Sequence, residues 1–567
     1  MIRLRAIIFF FLALSGFSCY AQNSNKDDRL KALVKQNGQA NISIFWPGKA
    51  AVRELPENLS LRSVKDGELY LVITPGNIER FLSLGYDYKI YYPDLSGSIR
   101  SAATVKDAMQ WDSYPTLPQY DSIMQSYGRD YPELCRLDTI GTSIKGRVIY
   151  ALRISGHTGE ERSVPRVFLT SSMHGDETGG FILMLRLAEY LLMNGRSDPR
   201  VSNILQNLEV WINPLANPDG TYKFGDEITA PVRDNANGVD LNRDFPDAEI
   251  PKTMFQKETV DMIKFLRKHD FILSANFHSG AEVVNYPWDR WERYHADNEW
   301  FYQISRKYAD TVHAYSRPGY MGDFNNGITN GYEWYSIRGG RQDFVTWELQ
   351  GRELTIELDD DYITPVNELH DLWEFNRRSL IGFLENALYG IHGITLDSEN
   401  GETVPAMIYI NGHDRDSSQI YSDTLSGRFT RMLSPGLWNL TFSAGGYRDT
   451  TIQDVIVTDL GRTDIEVYMK REINPEDSTD GNVPVIYPNP SRSSVNVLLP
   501  SKMAGKVNIR IMNHSGIKIA DFERYVTGNR PFVLETGSLG AGVYIVVFIN
   551  TATRLSLTDR FVKSGDD

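Results

Sequence analysis

The stretch Val167-Phe-Leu-Thr-Ser-Ser-Met-His174-Gly-Asp-Glu177 ends an apolar run with an imidazole and a carboxylate three residues apart. Both side chains are metal donors, but His-x-x-Glu alone carries little, because ten histidines in a chain this long give about 0.6 such pairs by chance. A second pair, His157 and Glu160, stands in the polar run Gly156-His-Thr-Gly-Glu-Glu-Arg-Ser with no strand before it and no helix after it, and it reads as solvated surface. Context separates the two. The short apolar block from Arg166 to Ser172 reads as a strand, and the run from Gly180 to Leu192 is too long for one strand and reads as a helix. His174 and Glu177 then fall at the carboxyl end of a strand, where open α/β sheets keep their ligand sites.

A catalytic zinc needs three protein ligands and an open position, and two histidines with a glutamate are an established set. His278 is the best third ligand, since it ends the apolar strand Phe271-Ile-Leu-Ser-Ala-Asn-Phe277 and is followed by a Ser279-Gly280 turn. Between the two ligand strands lies Arg233-Asp-Asn-Ala-Asn-Gly-Val-Asp-Leu-Asn242-Arg243, whose guanidinium and amide groups suit capture of a carboxylate.

The elements that must hold these groups alternate. Helices are expected over 117–131, 254–269, 299–313 and 366–388, and further strands over 148–154, 208–212 and 354–358. This pattern gives an α/β domain with a mixed sheet flanked by helices over 111–389. Residues 23–108 read as a small α+β pre-domain, either a prosegment or a packed cap. After Gly390 short strands take over, with turn residues every 8 to 12 positions, which predicts two small β-sandwich domains over 391–471 and 485–567. The polar stretch 472–484 links them.

At 567 residues, with 41% hydrophobic and 23% charged residues, the chain reads as about three folded units. The net charge of -14 argues against nucleic acid as a partner. Met1-Ile-Arg-Leu-Arg, the apolar run after it and Cys19-Tyr-Ala21 form an export signal over 1–21, and no later run is long enough for a transmembrane helix. Loss of Cys19 with that signal leaves Cys135 alone and excludes an intramolecular disulfide.

Arg166–Gly180, Arg233–Pro246, Leu273–Asp289, Gly327–Asp343 and Thr355–Asp359, in that order, resemble the zinc metallocarboxypeptidases, most of all the regulatory branch typified by carboxypeptidases E, D and N. The resemblance covers about 111–389 and continues into 391–471, which is similar to the transthyretin-like domain of that branch. It implies one zinc ion per chain held by His174, Glu177 and His278, with Glu357 as general base. The chemistry agrees, because zinc lowers the pKa of a water and a nearby carboxylate must take the proton and pass it to the leaving amine. By the same resemblance Arg233 is the oxyanion arginine, Asn242 and Arg243 clamp the terminal carboxylate, Tyr335 closes over the substrate and Arg147 serves an outer subsite.

Asp289 and Gln342 match positions where the branch reads lysine or arginine, so a peptide or protein C-terminus ending in Lys or Arg is the expected substrate. Arg341 stands where that branch carries methionine; folded towards Asp289, it would weaken the preference. Tyr487-Pro-Asn-Pro490, Gly542-Val-Tyr-Ile-Val and Phe561-Val-Lys resemble the sorting domain of type IX secretion cargo, which implies that machinery as a partner and a secreted or outer-surface location. The rival readings are a carboxypeptidase of apolar or cell-wall peptide specificity, and a non-catalytic surface binding module on the same fold.

Overall fold

Strands buried on both faces are mostly apolar and must pair whatever polar groups they carry, and the strands that bring the site together here are buried almost throughout. The computed structural model describes residues 26–45, 59–65, 67–92, 98–158, 163–472, 483–528 and 530–564. The expected signal peptide, Glu160 and most of the expected linker lie outside the described residues. The chain divides into two units: 1–247 with 252–294 and 301–385, and 248–251 with 295–300 and 386–567.

The first unit opens with helix α1 (26–37), strands β1 (Ala40–Phe45), β2 (Ser60–Lys65) and β3 (Glu68–Ile73), helix α2 (Ile78–Ser83) and strand β4 (Tyr88–Tyr91). The strands pair antiparallel in the order β2-β3-β1-β4, so β2 is an edge. Leu30, Ile42, Leu69, Leu71 and Phe81 form a core of their own beneath this sheet.

Helices α3 (Val105–Ala108) and α4 (Leu117–Asp130) follow, then β5 (Cys135–Thr142), β6 (Val148–Ile154) and β7 (Arg166–Ser171). A capping box between Thr116 and Gln119, with Pro118 in the first turn, fixes the start of α4. Next come α5 (Gly179–Asn194), α6 (Pro199–Asn207), β8 (Glu209–Asn213), α7 (Pro218–Thr221) and α8 (Lys257–His269). The domain is completed by β9 (Leu273–His278), β10 (Ala281–Tyr286), α9 (Asn298–Tyr315), β11 (Ile328–Asn330), α10 (Gly331–Trp334), α11 (Arg341–Glu348), β12 (Arg352–Asp359) and α12 (Leu369–Glu385).

These eight strands form one mixed sheet in the order β11-β10-β12-β9-β7-β8-β6-β5. Its centre, β12, β9, β7 and β8, is parallel, and β10, β6 and β5 join antiparallel. Successive strand residues face opposite sides. Phe168 and Trp211 thus meet Phe265 of α8 and Phe271 with ring centroids 4.9 to 6.2 Å apart. Helix α5 is apolar nearly all round because most of it is buried.

In the second unit, β13 (Gly390–Asp397), β14 (Met407–Tyr409), β15 (Ile420–Tyr421), β16 (Arg428–Arg431), β17 (Gly436–Ser443), β18 (Thr450–Val457) and β19 (Arg462–Met469) form two small sheets, β16-β13-β19 and β15-β14-β17-β18. Ile408, Leu440, Phe442 and Val467 fill the core of this β-sandwich. Strands β20 (Val485–Tyr487), β21 (Ser494–Leu498), β22 (Gly505–Asn513), β23 (Lys518–Val526), β24 (Pro531–Glu535), β25 (Gly542–Asn550) and β26 (Ser556–Lys563) build a second sandwich with a separate core that includes Val497, Ile509, Phe548 and Phe561. The expected class, a mixed α/β sheet followed by two small β-sandwiches, is the one observed. No helix among the described residues is long and apolar enough to cross a membrane.

Candidate active site

Parallel neighbours end together, and register sets which of their terminal residues meet. Ser171 of β7 pairs with Phe277 of β9, and His278 of β9 pairs with Glu357 of β12. The β7–α5 turn bearing His174 and Glu177, the end of β9 and the end of β12 therefore share one carboxyl edge of the sheet.

There His174, Glu177 and His278 converge, all buried, with one candidate ligand atom from each within 4.8 Å of the others. Glu177 lies 2.8 Å from Nδ1 of His174 through Oε1 and 2.7 Å from Nδ1 of His278 through Oε2, and the two ring nitrogens are 3.1 Å apart. Two imidazole nitrogens and a carboxylate facing one point fit a cation, and the donor set is that of catalytic zinc. The outward nitrogens are held as well. Nε2 of His174 lies 3.0 Å from Asp240, and Nε2 of His278 lies 2.6 Å from the Asn276 amide nitrogen, while the Asn276 Oδ1 has no partner among the described residues. With that amide turned, Oδ1 accepts from Nε2–H and Nδ1 is left with the lone pair a metal requires.

Asp240 is the residue that sequence reasoning passed over. One oxygen faces His174 and accepts from the Asn242 backbone N–H, and the other accepts from Nε of Arg233 at 3.0 Å. Arg233 also donates to Glu177 at 3.2 Å. Burial works against the Arg233 charge, but Asp240 and then Glu177 outweigh it and hold the guanidinium above its usual range. The run Gly238-Val-Asp240-Leu-Asn-Arg is where a signal lay, since an acid two residues before an Asn-Arg pair is placed to orient it.

Glu357 and Tyr335 line the same cavity as the triad. Burial, and after it the Glu177 charge, pushes the Glu357 carboxyl well above its usual range, and its Oε2 is buried without a partner among the described residues. Asp289 and Asn242 line the cavity too. Asp289 accepts from the amides of Asn285 and Gln342, each at 2.9 Å, and makes no ion pair among the described residues. Asn242 Oδ1 accepts from the Arg341 backbone N–H, and Arg243 donates to the Asn242 carbonyl.

Arg341 turns away from Asp289. Its guanidinium forks onto Glu353 at 3.0 and 2.9 Å, both side chains fully buried. Arg147 is not among the side chains that line the cavity, and donates instead to Pro218, Asp219 and Gly225. His157 of the other pair lies in a turn away from the triad. Cys135 is buried, and burial pushes its thiol up to about 12.

The cavity holds about 20 Å³, room for about one water. Leu61 and Arg62 of β2 and Tyr362, none singled out in the sequence, form part of its wall.

Residues 120–379 match the family described as zinc carboxypeptidase, and residues 485–564 match a secretion system C-terminal sorting domain. The carboxypeptidase N catalytic chain of Mus musculus is 34% identical over 400 residues, 62% of this chain and 86% of that one. Carboxypeptidase D of Mus musculus is 34% identical over 370 residues, 62% of this chain but 27% of that much longer protein. Among solved structures, a carboxypeptidase A from Helicoverpa armigera aligns with a TM-score of 0.48 at 18% identity, over 62% of this chain and 97% of that one. On the extent of its match to carboxypeptidase N, this chain belongs to the zinc carboxypeptidase family.

Proposed function

We propose that the chain is an exported metallocarboxypeptidase with one zinc ion, hydrolysing the C-terminal peptide bond of peptides or proteins that end in lysine or arginine. The observation that carries this is the meeting of the His174–Glu177–His278 triad with a buried Glu357, whose Oε2 has no partner among the described residues, at one sheet edge.

His174, Glu177 and His278 hold the metal, which when bound supplies Lewis-acid chemistry, acidifying water and polarising a carbonyl. Glu357, its charge disfavoured by burial, takes a proton from the attacking water and returns it to the leaving amine. Arg233, fixed by Asp240, offers its guanidinium to the charge that develops on the scissile carbonyl oxygen. Asn242 and Arg243 bind the terminal carboxylate, and that requirement makes the cleavage exo. Tyr335 covers the substrate and Gln342 helps to hold Asp289. The role expected for Arg147 keeps only its resemblance as support, since its guanidinium is committed to the loop 218–225.

Basic specificity is supported by Asp289, a buried acid without a cationic partner among the described residues, because an apolar side chain beside it leaves that acid uncompensated. Arg341, paired with Glu353, leaves the acid available. The sorting domain supports delivery to the medium or cell surface, and the likeness of 391–471 to a transthyretin-like domain supports the regulatory branch.

Glu357→Gln is expected to keep one zinc per chain by metal analysis and to lower kcat by about a thousandfold or more. Unchanged turnover refutes the base. Peptides ending in Arg, Phe and meso-diaminopimelate separate the specificities, and turnover of Phe as good as Arg sinks the basic reading.

A further inference from the structure

Edge strand β2 breaks register with β3 between Leu61 and Ser63, so Arg62 sits in a bulge. Bulges re-aim side chains, and this one sends Arg62 into the wall of the triad cavity, where it is buried. Its Nη2 donates to Asp176, the residue between Gly175 and Glu177 of the ligand turn, and its Cζ lies 3.6 Å from the centroid of the Tyr362 ring. A carboxylate with an aromatic face is the chemistry that recognises a guanidinium.

The site is built from the catalytic domain's side. Gly280, at φ +116, leaves room for Tyr362, since a Cβ there would stand 2.4 Å from the ring. The Tyr362 carbonyl accepts from the Thr178 backbone N–H. Gln39 completes the plug from the N-terminal side, donating to Asp176 at 3.1 Å and accepting from the Arg233 backbone N–H at 2.8 Å.

The fit of Arg62 is incomplete. Nε of Arg62 and Oδ1 of Asp176 are both buried without partners among the described residues, so one strong bond forms where a fork could make two. A guanidinium brought by another chain, free of the bulge, can satisfy both.

We propose that Asp176 and Tyr362 form a guanidinium-binding subsite beside the metal triad, filled here by Arg62 as an internal substrate mimic and taking, once β2 withdraws, a basic side chain upstream of the substrate's terminal residue. The terminal side chain has its own acid in Asp289, so the enzyme prefers two basic residues in succession. This rests on the carboxypeptidase reading above, and one arm of the test is independent of it.

The probe for that arm is methylguanidinium, titrated calorimetrically into the full chain. Arg62→Ala is expected to bind it saturably, at least about tenfold tighter than the natural chain or Arg62→Ala/Asp176→Asn. Arg62→Gln, which keeps the buried stem and one N–H donor for Asp176, is the second variant should the alanine chain not fold, and is expected to bind between these limits. Binding no tighter than that of the natural chain, in whichever variant folds, overturns the subsite.

In the other arm, the kcat/KM ratio for peptides ending Arg-Arg against Ala-Arg is expected to rise at least about tenfold on Arg62→Ala and to fall back in the double variant. An equal rise for both peptides would make Arg62 a mere obstruction and overturn the subsite. Tight methylguanidinium binding without hydrolysis of either peptide supports the subsite and refutes the carboxypeptidase reading.

Discussion

Asp289 shows how one residue's surroundings become a measurable preference. Burial first, opposed by the Asn285 hydrogen bond and the Arg243 charge, raises its carboxyl from the ordinary aspartate value to about 6. On the proposed reading, the anion above that pH pairs with a terminal lysine or arginine, and the neutral acid below it loses the pairing. KM for an Arg-terminal peptide should therefore rise as pH falls through about 6, by about tenfold per further unit, while KM for a Phe-terminal peptide should not. Comparing the two peptides removes the titration of Glu357, which both share. Asp289→Asn should flatten the difference, and a pH-independent KM for Arg would disprove the role. Arg341 makes the complementary case. Arg341→Met strands Glu353 as a buried uncompensated charge, and urea unfolding should show a loss of about 3–5 kcal/mol. The preference for Arg over Phe should not change, because Arg341 does not reach Asp289; a changed ratio would contradict the geometry.

At the scale of elements, the β7–α5 turn is a wedge as much as a ligand carrier. The Gly175 N–H donates to the Arg233 carbonyl, its own carbonyl accepts from Thr221, and a Cβ there would stand 2.3 Å from the Gly220 backbone. Gly175→Ala must therefore push the turn off α7 and move His174 and Glu177 apart. Zinc affinity should fall by about tenfold or more in a chelator competition while the far-UV spectrum is kept; unaltered affinity would mean the turn tolerates the displacement. Such dependence explains what could be read from the chain. Strand β7 was legible because its apolar run Val167-Phe-Leu stops just before the turn with His174, and β9 and β12 because apolar residues still alternate through Leu273-Ser-Ala-Asn-Phe277 and Leu354-Thr-Ile-Glu-Leu358. Strand β5, with Arg136, Asp138 and Thr139 facing outward and a bulge before Gly141, has no such run, and β10 follows β9 after only Ser279 and Gly280. His278 could be found because it ends a strand, and His174 and Glu177 because they stand in the short turn between a strand and a helix. Arg62 gains its meaning only from Asp176 and Tyr362, more than a hundred residues away, and the contact of Asp240 with His174 spans sixty-six, so no local pattern encodes either pairing.

For the whole molecule, separate cores imply separable tasks. The last sandwich, β20 to β26, encloses Val497, Ile509, Phe548 and Phe561 in a core made only of residues from Ile486 to Phe561 and shares none of the Ile408–Phe442 core before it. A layer that buries its own apolar face needs no neighbour to fold. It is also the part that matches a secretion sorting domain. A chain ending at Glu472 should therefore hold one zinc and keep kcat/KM within about twofold of the full chain, since the last core shares no residue with the catalytic domain. It should differ in place: in the native host the full chain is recovered from the medium or outer surface, and the shortened one stays inside the envelope. Loss of turnover in the shortened chain would mean the sandwich supports the catalytic domain directly. Equal recovery of both forms from the medium would remove its sorting role. Only intact turnover with lost export is consistent with a domain that carries the address and none of the chemistry.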